Sequence, residues 1–156
     1  MFQRSVLLVS AILVMVFASA FTSQWLSSAS VPSSYDTGIR LDEAFQTSKT
    51  PILVEFYSDS CGTCQQVAPM VDSLKPTLKD KLKVVMVNTD NNENATFMQL
   101  FKVDTIPALF VFDPKKMKKQ PVGAEHFATE KTLEVGIHKA LETLKTMPDS
   151  KVRPFG

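Results

Sequence analysis

The chain has 156 residues and a formal net charge of +1, with 44 % hydrophobic and 21 % charged residues. That length suits one globular domain, and that balance excludes a wholly disordered chain, a collagen and a multi-span membrane protein. Seventeen basic against 16 acidic residues leave no basic excess for nucleic acid, and two cysteines are too few for a disulfide-stapled miniprotein or a four-thiolate zinc site.

The chain opens on an uncharged run, Val6 to Phe21, with Arg4 before it and no further basic residue until Arg40. Such a run is a secretory signal or a membrane anchor; it has no polar face, which argues against a buried core helix. Ala18-Ser19-Ala20 and Ser27-Ser28-Ala29 both have the small-x-small form of a cleavage site. As a helix, Ser5 to Trp25 would rise about 30 Å, roughly the hydrocarbon thickness, with Trp25 at the far interface. Length therefore favours an uncleaved anchor over a cleaved signal. Either way Arg4 stays inside and the rest is exported, to a periplasm or lumen. The expected organisation is a signal or anchor segment over 1–26, a Ser-rich flexible linker over 27–36, a domain over 37–147 and a flexible tail over 148–156.

Within the domain, Leu41 to Ser48 reads as a short helix stopped by Pro51. Ile52 to Tyr57 is an apolar, β-branched and aromatic run, hence a buried strand. A helix follows from Cys61 to Lys75, with Val67, Met70, Val71 and Leu74 on one face and Pro69 expected to kink it. Leu82 to Val87 is a second strand. Asn91 to Phe101 is a helix with Phe97, Leu100 and Phe101 inward, and Ala108 to Phe112 a third strand. Asp113 to Lys119 is a turn, and Gln120 to Ala124 the returning strand of a hairpin. Thr129 caps a last helix to Thr146, with Leu133, Ile137, Ala140, Leu141 and Leu144 inward. Strands alternating with helices imply βαβ units and a parallel core, with an antiparallel pair added by the hairpin.

The chemistry lies in Cys61-Gly62-Thr63-Cys64. Two cysteines at this spacing, where a buried strand meets a helix, can close a reversible disulfide. A helix N-terminus offers free N–H groups and partial positive charge, and both favour a thiolate. Cys61 is placed as nucleophile, Cys64 one turn deeper as resolving thiol, and Gly62 leaves room for a substrate chain. A static structural disulfide and half of a thiolate metal shell are the alternatives. The four-residue loop gives the first little stabilising value, and no nearby His or Cys completes the second.

The stretch Ile52-Leu53-Val54-Glu55-Phe56-Tyr57-Ser58-Asp59-Ser60-Cys61-Gly62-Thr63-Cys64 resembles the central strand and redox loop of the thioredoxin family. Ala68-Pro69, Val87-Asn88-Thr89-Asp90, Thr105-Ile106-Pro107 and Gly123 match further family positions, so the resemblance spans about Leu41 to Leu144. It implies a thioredoxin-like α/β fold, a central mixed sheet flanked by helices, and thiol–disulfide oxidoreductase activity without a cofactor or bound metal. It also implies a cis Pro107 which, with Ile106, Gly62 and Thr63, lines the groove for a substrate strand. The anchor, the Val-Glu-Phe-Tyr strand and the Asn-x-Asp-Asn turn are similar to membrane-tethered thioredoxins that carry reducing equivalents to exported proteins. Protein disulfides as substrates and a membrane thiol donor follow from that likeness.

Three positions depart from the family pattern. Ser60 stands where a Trp is usual. Thr63 replaces the Pro of the common redox loop and is expected to add an N–H for the Cys61 thiolate. That would move a couple near roughly −270 mV up by a few tens of millivolts, still a reductase or isomerase-type donor. The family's buried Asp, which assists the second cysteine, appears as Glu55, and its lysine partner as Met86. Desolvation should then raise the Glu55 pKa and poise it to exchange a proton with Cys64.

Lys115, Lys116, Lys118 and Lys119 read as a solvated hairpin tip, His126 and His138 as surface residues, and Asn94-Ala95-Thr96 as a chance sequon. The rival functions are a non-catalytic binding or scaffold module and copper handling through Cys61 and Cys64.

Overall fold

The computed structural model describes residues 40–148. The anchor and linker expected over 1–36, and the tail beyond 148, lie outside the described residues. The elements are α1 (Leu41–Thr47), β1 (Ile52–Tyr57), α2 (Cys64–Leu78), β2 (Lys83–Asn88), a 3-10 turn (Asn92–Asn94) leading into α3 (Ala95–Phe101), β3 (Ala108–Asp113), β4 (Lys118–Val122), a second 3-10 turn (Ala124–His126) and α4 (Glu130–Thr146).

The four strands form one mixed sheet in the order β2-β1-β3-β4. β1 and β2 are parallel, with Val54 beside Val85 and Tyr57 beside Asn88. β3 runs antiparallel to β1, with Phe56 beside Ala108, and β4 antiparallel to β3. The parallel core is thus smaller than strand–helix alternation suggests. β2 runs parallel to β1 and β3 antiparallel to it, so β3 starts at the end of the sheet where β2 stopped. The loop before β3 is thereby brought to the end of the sheet that carries the cysteines.

β1 is buried along its whole length, and its side chains alternate between two cores. Leu53 and Tyr57 face α2 and α4 with Cys64, Val71, Leu109, Val111, Leu133, Ile137 and Leu141. Ile52, Val54 and Phe56 face α1 and α3. The second core is aromatic: Phe45 meets Phe112 at 4.6 Å between centroids, and Phe56 meets Phe101 at 5.2 Å. Such pairs are worth about 0.5–1.5 kcal/mol each beyond area burial.

Several local readings change. Leu100 is 47 % exposed, because Phe101 already fills the inward position at the end of α3. α2 starts at Cys64, not Cys61, and runs past Lys75 to Leu78, continuous through both Pro69 and Pro76. The hairpin turn is tighter than expected: the Asp113 carboxylate accepts the N–H groups of Lys115 and Lys116, and Met117 takes a positive φ of 51°. β4 can then begin at Lys118. Nor are all the tip lysines solvated. Lys119 Nζ donates to the Leu100 carbonyl at 2.9 Å and lies 5.1 Å from the Phe101 ring centre, while Lys118 Nζ donates to the Met147 carbonyl. Burial, then the charge of Lys102, holds the Lys119 ammonium below the ordinary lysine pKa. His126 is only partly exposed; its ring packs on Gly136 of α4, leaving 19 % of the side chain accessible. The Asn94 amide of the sequon donates to the Asn88 carbonyl at 2.8 Å. Thr129 caps α4 as expected, accepting the Thr132 N–H in a capping box.

Candidate active site

Cys61 and Cys64 form a disulfide at the junction of β1 and α2. Cys64 is fully buried as the first residue of α2, and Cys61 is half-buried in the loop before it. Accessibility alone therefore separates an outer from an inner sulfur. Thr63 holds the cap position in the αR region without a side-chain cap bond. The first-turn N–H of Cys64 consequently has no intrahelical partner and donates to Cys61 Sγ at 3.2 Å. The Cys61 carbonyl accepts the Gln65 N–H, and the Thr63 carbonyl that of Val67, so the loop is continuous with the helix.

In the disulfide form the N–H that reaches Cys61 Sγ belongs to Cys64. Gly62 and Thr63 are exposed on the outer side of the disulfide, and no atom of the described residues lies within 4 Å of where a Cβ on Gly62 would stand.

The loop before β3 closes the other side. The Ile106–Pro107 peptide is cis, and the Ile106 carbonyl lies 3.9 Å from Cys61 Sγ. Sequence separation between these residues is 45; the antiparallel entry of β3 brings them together.

Glu55 sits in the middle of β1 with Met86 on one neighbouring strand and Leu109 on the other. It shares its sheet face with Leu53 and Tyr57, toward the core that contains Cys64. The side chain is 0 % exposed, and among the described residues neither carboxylate oxygen has a hydrogen-bond partner. Burial pushes its pKa up to about 8, against an opposing pull from Lys75. At neutral pH it holds its proton, which lowers the cost of burying it. Lys75 was not singled out in the sequence; it is engaged with Asp72 at 2.7 Å on α2. Ser58 and Asp90, whose side chains are joined at 2.7 Å, were also missed as site residues. The Ser58-x-Ser60 pattern beside the first cysteine was the available signal.

The thioredoxin family model matches residues 34–138. Thioredoxin 1 of Chlorobaculum tepidum is 39 % identical over 84 residues, which cover 54 % of this chain and 81 % of that one. The chloroplastic M-type thioredoxin of Chlamydomonas reinhardtii is 35 % identical over 98 residues, covering 60 % and 69 % respectively. Among solved structures, the Trx4 domain of ERdj5 superposes with a TM-score of 0.50 at 24 % identity, over 65 % of this chain and 91 % of that one, a likeness of fold.

Proposed function

This chain belongs to the thioredoxin family and is a thiol–disulfide oxidoreductase of the thioredoxin type; from that premise we propose that it reduces disulfides of proteins outside the cytoplasm, held at the membrane by its first 26 residues. The observation that carries the chemistry is the asymmetry of the pair: a half-exposed Cys61 facing the Ile106 carbonyl and a buried Cys64 behind it. In the reduced protein the Cys61 thiolate attacks one sulfur of a substrate disulfide. A Cys61–substrate disulfide forms, and the other substrate sulfur leaves as a thiolate. Cys64 then loses its proton and attacks Cys61 Sγ, restoring the Cys61–Cys64 bond and releasing the second substrate thiol. Two electrons pass to the substrate, and a thiol donor at the membrane returns them.

The residues divide the work as follows. In the reduced protein the Cys64 N–H, 3.2 Å from Cys61 Sγ in the disulfide form, stabilises negative charge on Cys61. Gly62, Thr63, Ile106 and Pro107 line the face on which an extended substrate segment would lie. Glu55, with a pKa of about 8, is matched to a free thiol near roughly 8.5, so a proton passes between Cys64 and the carboxyl at little cost.

Insulin reduction with dithiothreitol as donor tests the activity; the wild type should catalyse it and Cys61→Ser should not. Residues 1–36 fused to a reporter active only outside the cytoplasm, with carbonate extraction, test the location. Reporter activity in the extracted membrane pellet is the expected result. A silent reporter would remove the exported role, and activity in the soluble fraction would replace the anchor by a cleaved signal.

A further inference from the structure

Between Tyr57 and Cys64, Asp59, Ser60, Gly62 and Thr63 are all exposed, and Cys61 is half-buried against the core beside α2 and α4. Ser58 is the one buried residue of the segment, at 4 % exposed. Its Oγ donates to Asp90 Oδ2 at 2.7 Å, accepts the Ser60 N–H at 3.2 Å and lies 3.0 Å from Ser60 Oγ. With the Ser60 hydroxyl donating, one donor and two acceptor sites of a single hydroxyl are all used. Asp90 Oδ2 also accepts the Asp59 N–H at 3.2 Å. Asn88 completes a ring: its Oδ1 accepts the Asp90 N–H at 2.8 Å, and its Nδ2 donates to Asp59 Oδ2 at 3.1 Å. On the main chain the Ser58 carbonyl accepts the Cys61 N–H at 3.2 Å. The redox loop is thus tied to the end of β2 through one buried hydroxyl and one carboxylate.

Resting on the oxidoreductase reading above, we propose that Ser58 and Asp90 are positioning residues for thiol–disulfide exchange, holding the loop so that Cys61 Sγ stays within reach of the Cys64 N–H. With Ser60 at the loop's exposed corner, no large side chain there can fix the loop by packing, and hydrogen bonds do so instead. Asp90 acts in this as an acceptor and not through its charge. The two roles have opposite signs. A carboxylate acting by its field disfavours a nearby thiolate, so its removal would lower the Cys61 pKa. A carboxylate acting as an anchor favours the thiolate, so its removal raises that pKa.

The test is the pH dependence of iodoacetamide alkylation of Cys61 in the reduced protein, with thermal melts confirming the fold. Ser58→Ala and Asp90→Ala should alkylate about three- to tenfold more slowly at pH 7, with the Cys61 titration moved up, because the thiolate is the reacting form. Asp90→Asn keeps an acceptor oxygen and should restore most of the rate. An alanine variant as fast as wild type or faster would overturn the proposal, and so would an Asp90→Asn as slow as Asp90→Ala. Should the alanine variants fail to fold, Ser60→Ala, which removes only an exposed hydroxyl, carries the test. A slowing of about twofold supports the proposal and an unchanged rate overturns it. Alkylation needs no turnover, so a wild type inactive on insulin would sink the functional reading while leaving this comparison intact.

Discussion

Glu55 and Met86 stand on the same rung of the parallel β1–β2 ladder. The fully buried carboxyl therefore has a thioether at its side, and among the described residues no hydrogen-bond donor reaches either of its oxygens. Desolvation is left as the dominant influence on its proton affinity, with the charge of Lys75 as the opposing one.

Met86→Lys should place an ammonium beside that carboxyl and pull its pKa from about 8 toward the usual carboxylate range. The carboxyl stretch in infrared difference spectra across pH 4–9 would follow the titration (roughly the span between ordinary and raised carboxyl pKa values). A Glu55 that still titrates near 8 in the variant would show that the β2 position has no influence on it.

Folding stability should fall as pH rises through the window set by Glu55. Its folded pKa, about 8, lies above its ordinary value of 4.5, so the folded state binds more protons between those limits. Stability is then fully present below the unfolded value and declines toward pH 8, by an amount on the order of several kcal/mol. Glu55→Gln removes the titration, and its urea midpoint should stay level in this respect while that of wild type falls. The same variant should resolve the mixed disulfide several-fold more slowly and lose an inflection near pH 8. Parallel urea midpoints for the two proteins across this range would contradict the linkage.

Cys64→Ser should accumulate a covalent complex with a disulfide substrate, since Cys61 can attack but nothing releases the partner. Cys61→Ser should accumulate none, because Cys64 is fully buried. Non-reducing electrophoresis separates the outcomes, and complexes on Cys64 in the Cys61→Ser protein would reverse the assignment.

Gly136→Ala should destabilise the domain despite the better helix propensity of alanine. A Cβ at position 136 would lie 2.6 Å from Cγ of the His126 ring. Overpacking of this kind costs about 1–3 kcal/mol, against a propensity gain of about 1 kcal/mol. A lowered Tm, recovered in the His126→Ala background, is the expected result; a Tm equal to wild type in the single variant would show that the ring moves aside freely.

The elements most legible in the sequence were those set by short-range pattern. β1 was readable to the residue because five of six successive positions, all but Glu55, are apolar or aromatic and Ser58 follows them. α4 was readable because its apolar period and its Thr129 cap agree. Leu100 was misplaced because helical period places both Leu100 and Phe101 near the inward face of α3, and only packing against Phe56 and Phe112 selects Phe101. The start of α2 lies three residues later than Cys61 because Gly62 and Thr63 form a turn, although the Cys61 and Thr63 carbonyls already accept N–H groups of the helix.

Residue type and spacing along the chain were enough to establish the redox pair, its place between a strand and a helix, and the apolar periods of the core, since each depends on neighbours within a turn or a strand. Tertiary structure alone decided the rest. β3 enters antiparallel to β1 and delivers Ile106 to Cys61. Strand register set Met86 and Leu109 against Glu55. The end of β2 supplied Asp90 to Ser58. These pairings join residues about thirty or more apart in sequence, and such contacts are fixed only by which ends of which strands the folded sheet brings side by side.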